Sequence, residues 1–296
     1  DWGEISSPEG MQQYITLNTM AKMMKSSSEA MGKTLDYLER PNSSLNSNIT
    51  YAAKNYTYYA NQIMVGYNSA VASRELLQKV SEISSSAYEA RKLSYQLGMV
   101  TEADLISAQK DVLSAQSSLL KVESTIDSLR RSLNLMTGYS ADSSPAIGTV
   151  PVLAEAALSA LDLEADTAKA IGNNYTLISE RRASSDKTTT GMKNKEASVS
   201  AGEQNVAVTM ESYYQAVMQA KSAYEAAGTA YERAKLEKGK ADRSYQLGML
   251  GKISYLQAEM AFLQAESEWQ SAYNTLYQAY DTYQWAVKGI IMTSAQ

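Results

Sequence analysis

The chain of 296 residues sets 27 Lys and Arg against 32 Asp and Glu, a net charge of −5, and contains neither Cys nor His. Those absences exclude disulfides, thiolate nucleophiles, zinc centres built on Cys or His, and proton transfer by His. Both signs of charge are spread along the chain, so it offers no basic stripe for nucleic acid, and with 4 Pro and 15 Gly the Ala/Ser/Gln/Glu/Leu/Lys-rich composition points to long helices.

Aromatic content is 21 Tyr against 1 Phe and 3 Trp, which suits half-buried positions where the ring packs and the hydroxyl reaches water. No apolar run approaches the ~20 residues that a membrane-spanning helix requires. The absence of Cys fits an exported bacterial protein, and an opening on Asp1 is what a removed leader or a trimmed sequence leaves.

In chain order, Ser6-Ser7-Pro8-Glu9 reads as a helix start with Pro in the first turn. Met11, Tyr14, Ile15, Met20, Met23 and Met24 follow as a loose apolar face, read as packing and not as a metal-binding cluster. Pro41 and the Asn/Ser run to Asn48 break that helix. From about Tyr51 to Leu97 one long helix is predicted, with Leu76, Val80, Ile83, Ala87, Ala90, Ser94 and Leu97 stepping by 4 and 3 as a heptad seam. Gly98 then ends it, because glycine enters the left-handed region without steric cost.

Thr101-Glu102-Ala103-Asp104 reads as a capped first turn of the next helix, with acids at the positive end of the helix dipole. Its seam runs without a fault through Leu105, Ala108, Val112, Ala115, Leu119, Val122, Ile126, Leu129, Leu133 and Met136. Gly138 to Pro151 is a linker. Leu161–Ile178 reads as a short helix with Asn173-Asn174 as its break, and Ser184–Gly191 as a polar loop or weak helix. A second long helix is predicted from about Met192 to Leu247, with a seam from Val206 through Met210, Tyr213, Val217 and Tyr224 to Tyr245. Beyond Gly248 the seam continues from Tyr255 through Phe262, Trp269 and Leu276 to Ile290.

Ser94-Tyr95-Gln96-Leu97-Gly98-Met99 occurs again letter for letter as Ser244-Tyr245-Gln246-Leu247-Gly248-Met249, 150 residues on. The chain therefore divides into two tandem halves, 1–148 with its turn at 95–100 and 149–296 with its turn at 245–250. Each is a helical hairpin. A sustained 3.5-residue period imposes a left-handed supercoil, and a helix of roughly 80 Å, judged from its rise, must be flanked by more helices than its own hairpin supplies. The expected fold is all-α: long antiparallel hairpins with coiled-coil packing.

At Tyr95-x-x-Gly98 followed by Asp104-Leu105-x-x-Ala108, with Ala115 and Leu119 in phase, the chain resembles the TolC family of outer-membrane efflux proteins. Tyr245-x-x-Gly248 with Leu256-x-Ala258, Ala265 and Trp269 matches less fully. Ala170-Ile171-x-x-Asn174-x-x-Leu177 resembles the family's opening of a repeat, without its Pro. The resemblance implies a homotrimer whose twelve helical strands close into a hollow α-barrel. It implies that Leu97, Gly98 and Met99, with Leu247, Gly248 and Met249, form hairpin tips that meet a periplasmic adaptor and, through it, an inner-membrane pump. Asp104 matches a family acid that lines the closed end, so it is the candidate pore constriction; the corresponding places after the second turn hold Ser254 and Gln257. Beside these readings stand simpler ones, in which Leu and Met only close the coiled coil and Asp104 is only a helix-start acid.

The chain departs from the family at the two points where a membrane barrel would be inserted, near 40–55 and 184–200. Neither stretch holds two alternating strands of ~9–11 residues. The expectation is a member without the barrel: from a bacterium with no outer membrane, with the barrel excised, or with a different task. No catalytic constellation and no cofactor site is found, so the expected class is a non-enzymatic export conduit, and the alternative is a structural or adhesive coiled coil of the cell envelope without a lumen. A second seam on the first long helix, through Tyr56, Ala60, Ile63, Tyr67, Ala70 and Leu77 and interrupted at Arg74 and Ser81, favours the conduit, because each helix of a closed wall has two neighbours.

Overall fold

The computed structural model describes residues 19–20, 22–31 and 45–291. Residues 19–20 and 22–31 are helical; Met11, Tyr14 and Ile15 lie outside the described residues. The rest forms α1 (Leu45–Gln96), α2 (Glu102–Met136), α3 (Glu155–Ser159), α4 (Leu163–Asn173), α5 (Tyr175–Arg182), α6 (Thr189–Gln246) and α7 (Lys252–Val287). No strand occurs among the described residues. At the first expected insertion point α1 is already helical from Leu45, earlier than its seam suggested. At the second, only 183–188 separate α5 from α6, too few for a pair of membrane strands. No helix among the described residues is long and apolar enough to cross a membrane.

The four long helices follow the seams. Every seam position of α2 from Leu105 to Met136 is shielded, with Ala115, Val122 and Leu129 fully buried. Along α7 the seam from Tyr255 to Ile290 is likewise without an exposed member. Each fully buried aliphatic side chain contributes about 1.5–3 kcal/mol, which is why helices of modest intrinsic propensity hold over 35 to 58 residues.

The chain packs as two compact units, and each draws on both sequence halves. Of the described residues, the first takes those up to 63, then 154–215, and those from 280 on. Its core gathers Tyr58, Ile63, Leu177, Met210, Tyr283 and Ile290. Tyr58 meets Trp285 edge-on at 6.4 Å and shares a hydrogen bond with Thr282 at 3.3 Å. The predicted break is present: Asn174 ends α4 and, as N-cap of α5, accepts from the Leu177 amide at 3.0 Å. Ala170, Asn174 and Leu177, three residues of the repeat-opening pattern, are all buried here. Asn173 donates to the Val287 carbonyl at 3.0 Å, and Tyr283 donates to the buried Asp166 at 3.0 Å. These bonds tie α4 to the end of α7.

The second unit comprises residues 64–153 and 216–279. Within it Tyr231 stacks on Trp269 at 4.9 Å, and Tyr224 on the same ring at 6.0 Å, so the Tyr-rich seam is packing between α6 and α7. The linker after α2 is pinned. Buried Asn134 donates to the carbonyls of Ala141 and Ser143, Asn68 donates to Gly148 at 3.0 Å, and Tyr273 donates to Pro151 and accepts from the Leu153 amide. The five-residue α3 that follows the linker has no seam of its own and left no sequence signal.

Candidate docking site at the hairpin turns

Both duplicated turns are the same hydrogen-bonded structure. Gly98 has φ +69° and Gly248 φ +72°. In the first turn the Gly98 amide donates to Tyr95 and the Met99 amide to Ser94, both at 2.9 Å; in the second, Gly248 donates to Tyr245 at 3.0 Å and Met249 to Ser244 at 2.8 Å. This pair of bonds is the Schellman ending, in which a left-handed residue lets the chain satisfy the last carbonyls of the helix. The turn throws the flanking side chains outward. Leu97 and Met99 are 66% and 74% exposed, and Leu247 and Met249 are 73% and 78% exposed. All four predicted apolar knobs therefore stand in solvent.

The hairpins stay together by different means. At the first, Thr101 caps α2 in a reciprocal box: its hydroxyl accepts from the Asp104 amide at 3.2 Å, while the Asp104 carboxylate accepts from the Thr101 amide at 2.9 Å and hydroxyl at 2.7 Å. The Thr101 hydroxyl and amide, with a small contribution from the Arg91 charge, hold the exposed Asp104 carboxyl below the usual carboxylate range. Replacing Thr101 with Ala is expected to cost about 1 kcal/mol and to fray the first turn of α2, read as faster amide exchange at 102–105 with the rest of α2 unchanged.

At the second turn Gly251 stands where Thr101 would, and the first turn of α7 contains no acid. Here Tyr245 stacks on Tyr255 across the hairpin at 4.4 Å. Lys238 forms an ion pair with Asp242 at 2.9 Å and lies over the Tyr255 ring at 5.9 Å; the Asp242 hydrogen bond is the main cause that raises the Tyr255 hydroxyl. Sequence reasoning missed this network. Its only trace is a pair of tyrosines placed on either side of Gly248. Ser254 and Gln257 are exposed and supply no charge.

Within the second unit Asn274 of α7 donates to Ser69 of α1 at 2.8 Å. Ser69 lies twenty-nine residues before Gly98, and Asn274 twenty-six after Gly248. At the helical rise these are about 44 and about 39 Å, and Lys79, nearer the first turn, senses the charge of Glu259, nearer the second, so α1 and α7 run antiparallel and reach their turns at nearly one level.

No protein-family model matches the sequence, and no curated protein is similar to it. Solved structures are. The chain superposes on one described as "Crystal structures of CusC review conformational changes accompanying folding and transmembrane channel formation", at TM-score 0.62 and 12% identity over 91% of this chain and 93% of that one. The CmeC outer membrane channel of Campylobacter jejuni matches at TM-score 0.50 and 14% identity, over 94% and 69% of the two chains. The outer membrane protein VceC of Vibrio cholerae matches at TM-score 0.50 and 13% identity, over 93% and 75%. The resemblance to the TolC family thus holds as a fold: the chain has the TolC-type helical architecture, with no β-barrel among its described residues.

Proposed function

We propose that this TolC-type chain is one third of a homotrimeric α-helical tunnel that serves as an export conduit in a multicomponent efflux or secretion system of the cell envelope. The observation that carries the reading is the pair of matching turns, brought to nearly one level by the Asn274–Ser69 bond, with Leu97, Met99, Leu247 and Met249 exposed on them. In a trimer these make six apolar tips in a ring. A six-fold adaptor would dock there and connect the conduit to an inner-membrane pump. Asp104 would stand just inside each first-half tip and give three carboxylates at the narrow end. Its tie to Thr101 fixes the charge in place. The two sequence halves, 1–148 and 149–296, are on this reading the repeat units of the wall. An extracytoplasmic location follows from the same role.

The test is the particle itself. Light scattering on the purified protein is expected to give about three times the chain mass of 32.4 kDa, and projection images an open three-fold ring. A monomer, or a solid rod, would replace the conduit with a structural coiled coil.

A further inference from the structure

The signs of charge mix along most of the chain, with one local exception. Between residues 181 and 195 stand Arg181, Arg182, Lys187, Lys193 and Lys195 against the single acid Asp186, in a chain whose net charge is −5. The segment is the end of α5, the loop 183–188 and the first turns of α6, all within the first unit. The other connections carry no such excess: residues 97–101 and 247–251 hold no charge, and the linker 138–151 holds Asp142 alone.

Two of the five bases are engaged in the fold. Lys195 donates to the carbonyls of Arg181 at 2.8 Å and Ala183 at 2.6 Å, which closes the end of α5, and Arg181 pairs with Glu203 at 2.8 Å. Arg182, Lys187 and Lys193 are exposed and pair with no acid among the described residues. Helix stability does not account for them. α6 has no acid in its first turn, and Lys187 and Lys193 flank the positive end of its dipole, where a cation is unfavourable. Beside them Met192 is 62% exposed. A cleft of about 660 Å³ opens between α5 and α6, lined by Arg181, Ser185, Met192, Lys195 and Val199. Of the acids on its wall, Glu203 is occupied by Arg181, which leaves Glu196.

We propose that this basic loop is a peripheral contact for an anionic lipid surface, with Arg182, Lys187 and Lys193 facing lipid phosphates and Met192 entering the headgroup boundary. The proposal goes beyond the conduit reading, which draws on the turns: α6 begins at this loop and ends at the second turn. Three observations choose the occupant. The unpaired charge is of one sign, and clustered bases are drawn to anionic leaflets over a Debye length. An exposed apolar side chain stands among the bases, which is the second signal that a lasting membrane contact needs and a dissolved anion does not. The segment 181–195 contains no aromatic residue on which a nucleic-acid base would stack.

The test is sedimentation of the full chain with vesicles of phosphatidylglycerol and phosphatidylcholine in equal parts, beside vesicles of phosphatidylcholine alone. Binding is expected to the mixed vesicles, falling steeply between about 0.05 and about 0.5 M salt as the Debye length shrinks. Lys187→Glu with Lys193→Glu should weaken it roughly tenfold or more with helix content unchanged, since both side chains lie in solvent. Lys187→Arg with Lys193→Arg should keep it, Met192→Ser should weaken it, and Glu196→Gln should strengthen it. Equal binding to phosphatidylcholine alone, or no loss in the double Glu variant, overturns the contact. Displacement by millimolar inorganic phosphate overturns it in favour of a free-anion site, and preference for single-stranded DNA in favour of a nucleic-acid surface. A trimer by light scattering that ignores the mixed vesicles overturns the contact and leaves the conduit standing. A monomer that binds them supports the contact and removes the conduit.

Discussion

Gly289→Ala is expected to destabilise the protein by about 3 kcal/mol or more, while Gly98→Ala costs about 1 kcal/mol. Both glycines end a helix in the left-handed region, Gly289 at φ +91° and Gly98 at φ +69°. An L-residue there carries roughly 1–2 kcal/mol of strain. The surroundings make the difference. A Cβ added at Gly98 or Gly248 meets nothing within 4 Å, whereas at Gly289 it falls 2.0 Å from the carbonyl oxygen of Asn173 and 2.5 Å from its carbonyl carbon. That neighbour is backbone, held by the Asn173 bond to Val287, so relief requires moving α4 away from α7. Forced repacking of this kind adds about 1–3 kcal/mol. Thermal unfolding followed by circular dichroism measures it: a large downward shift for Gly289→Ala, a small one for Gly98→Ala. Gly98→Val and Gly248→Val, with a branched side chain in the same region, should damage the tips and spare most of the helix. Equal shifts at Gly98 and Gly289 would mean that the Asn173 contact gives way freely.

The contrast between those glycines also marks what could be read from the letters. Gly98 and Gly248 stand out because each closes a visible heptad run, and the reason glycine is needed is local. Gly289 follows a seam just as clearly, but what it must avoid is Asn173, more than a hundred residues away, and no spacing rule reaches that far. The long seams were legible for the same local reason: a 4-3 step encodes one buried side of a helix whichever partner covers it. The ends were less so. α1 begins at Leu45, inside a Ser/Asn-rich run that propensity alone reads as loop, and α3 is too short to show a period. The tandem halves are plain as repeats, yet each compact unit mixes both, because α1, α6 and α7 each supply residues to the two units. At the turns, the exposed Leu and Met were foreseeable from the hexapeptide. The Thr101–Asp104 box was visible as a capping pattern. The Lys238–Asp242–Tyr255 network was not, since its members share a site only once the hairpin has closed.

The composition itself predicts a second large effect, a steep alkaline unfolding. Tyr58 and Tyr283 are buried in the core of the first unit. Burial is the leading cause that raises both hydroxyls above the ordinary tyrosine value; for Tyr283 the hydrogen bond it donates to the Asp166 carboxylate raises it further, while the Thr282 bond at Tyr58 opposes the shift in part. The sign follows from proton counting. Below pH ~10 both states hold these protons and the two groups add no pH dependence. Above it the unfolded chain releases them and the native core does not, so stability falls as pH rises toward the raised native values, by about 1.4 kcal/mol per pH unit for each such tyrosine. Two of them give a slope of about 3 kcal/mol per unit, enough to consume a typical margin of 5–15 kcal/mol within a few units. Tyrosinate absorbance and helix signal, followed together from pH 8 to 12, should show exposed tyrosines titrating first and then a joint, steep step as the core opens. Tyr283→Phe is expected to reduce that steepness by about half. At neutral pH it costs about 1.5–3 kcal/mol, because the buried Asp166 loses a charged hydrogen bond and keeps Lys169, at 2.8 Å, as its cation. A smooth rise in tyrosinate absorbance with the helix signal intact to pH 12 would show that Tyr58 and Tyr283 ionise in place, and that the core does not hold their protons as its geometry requires.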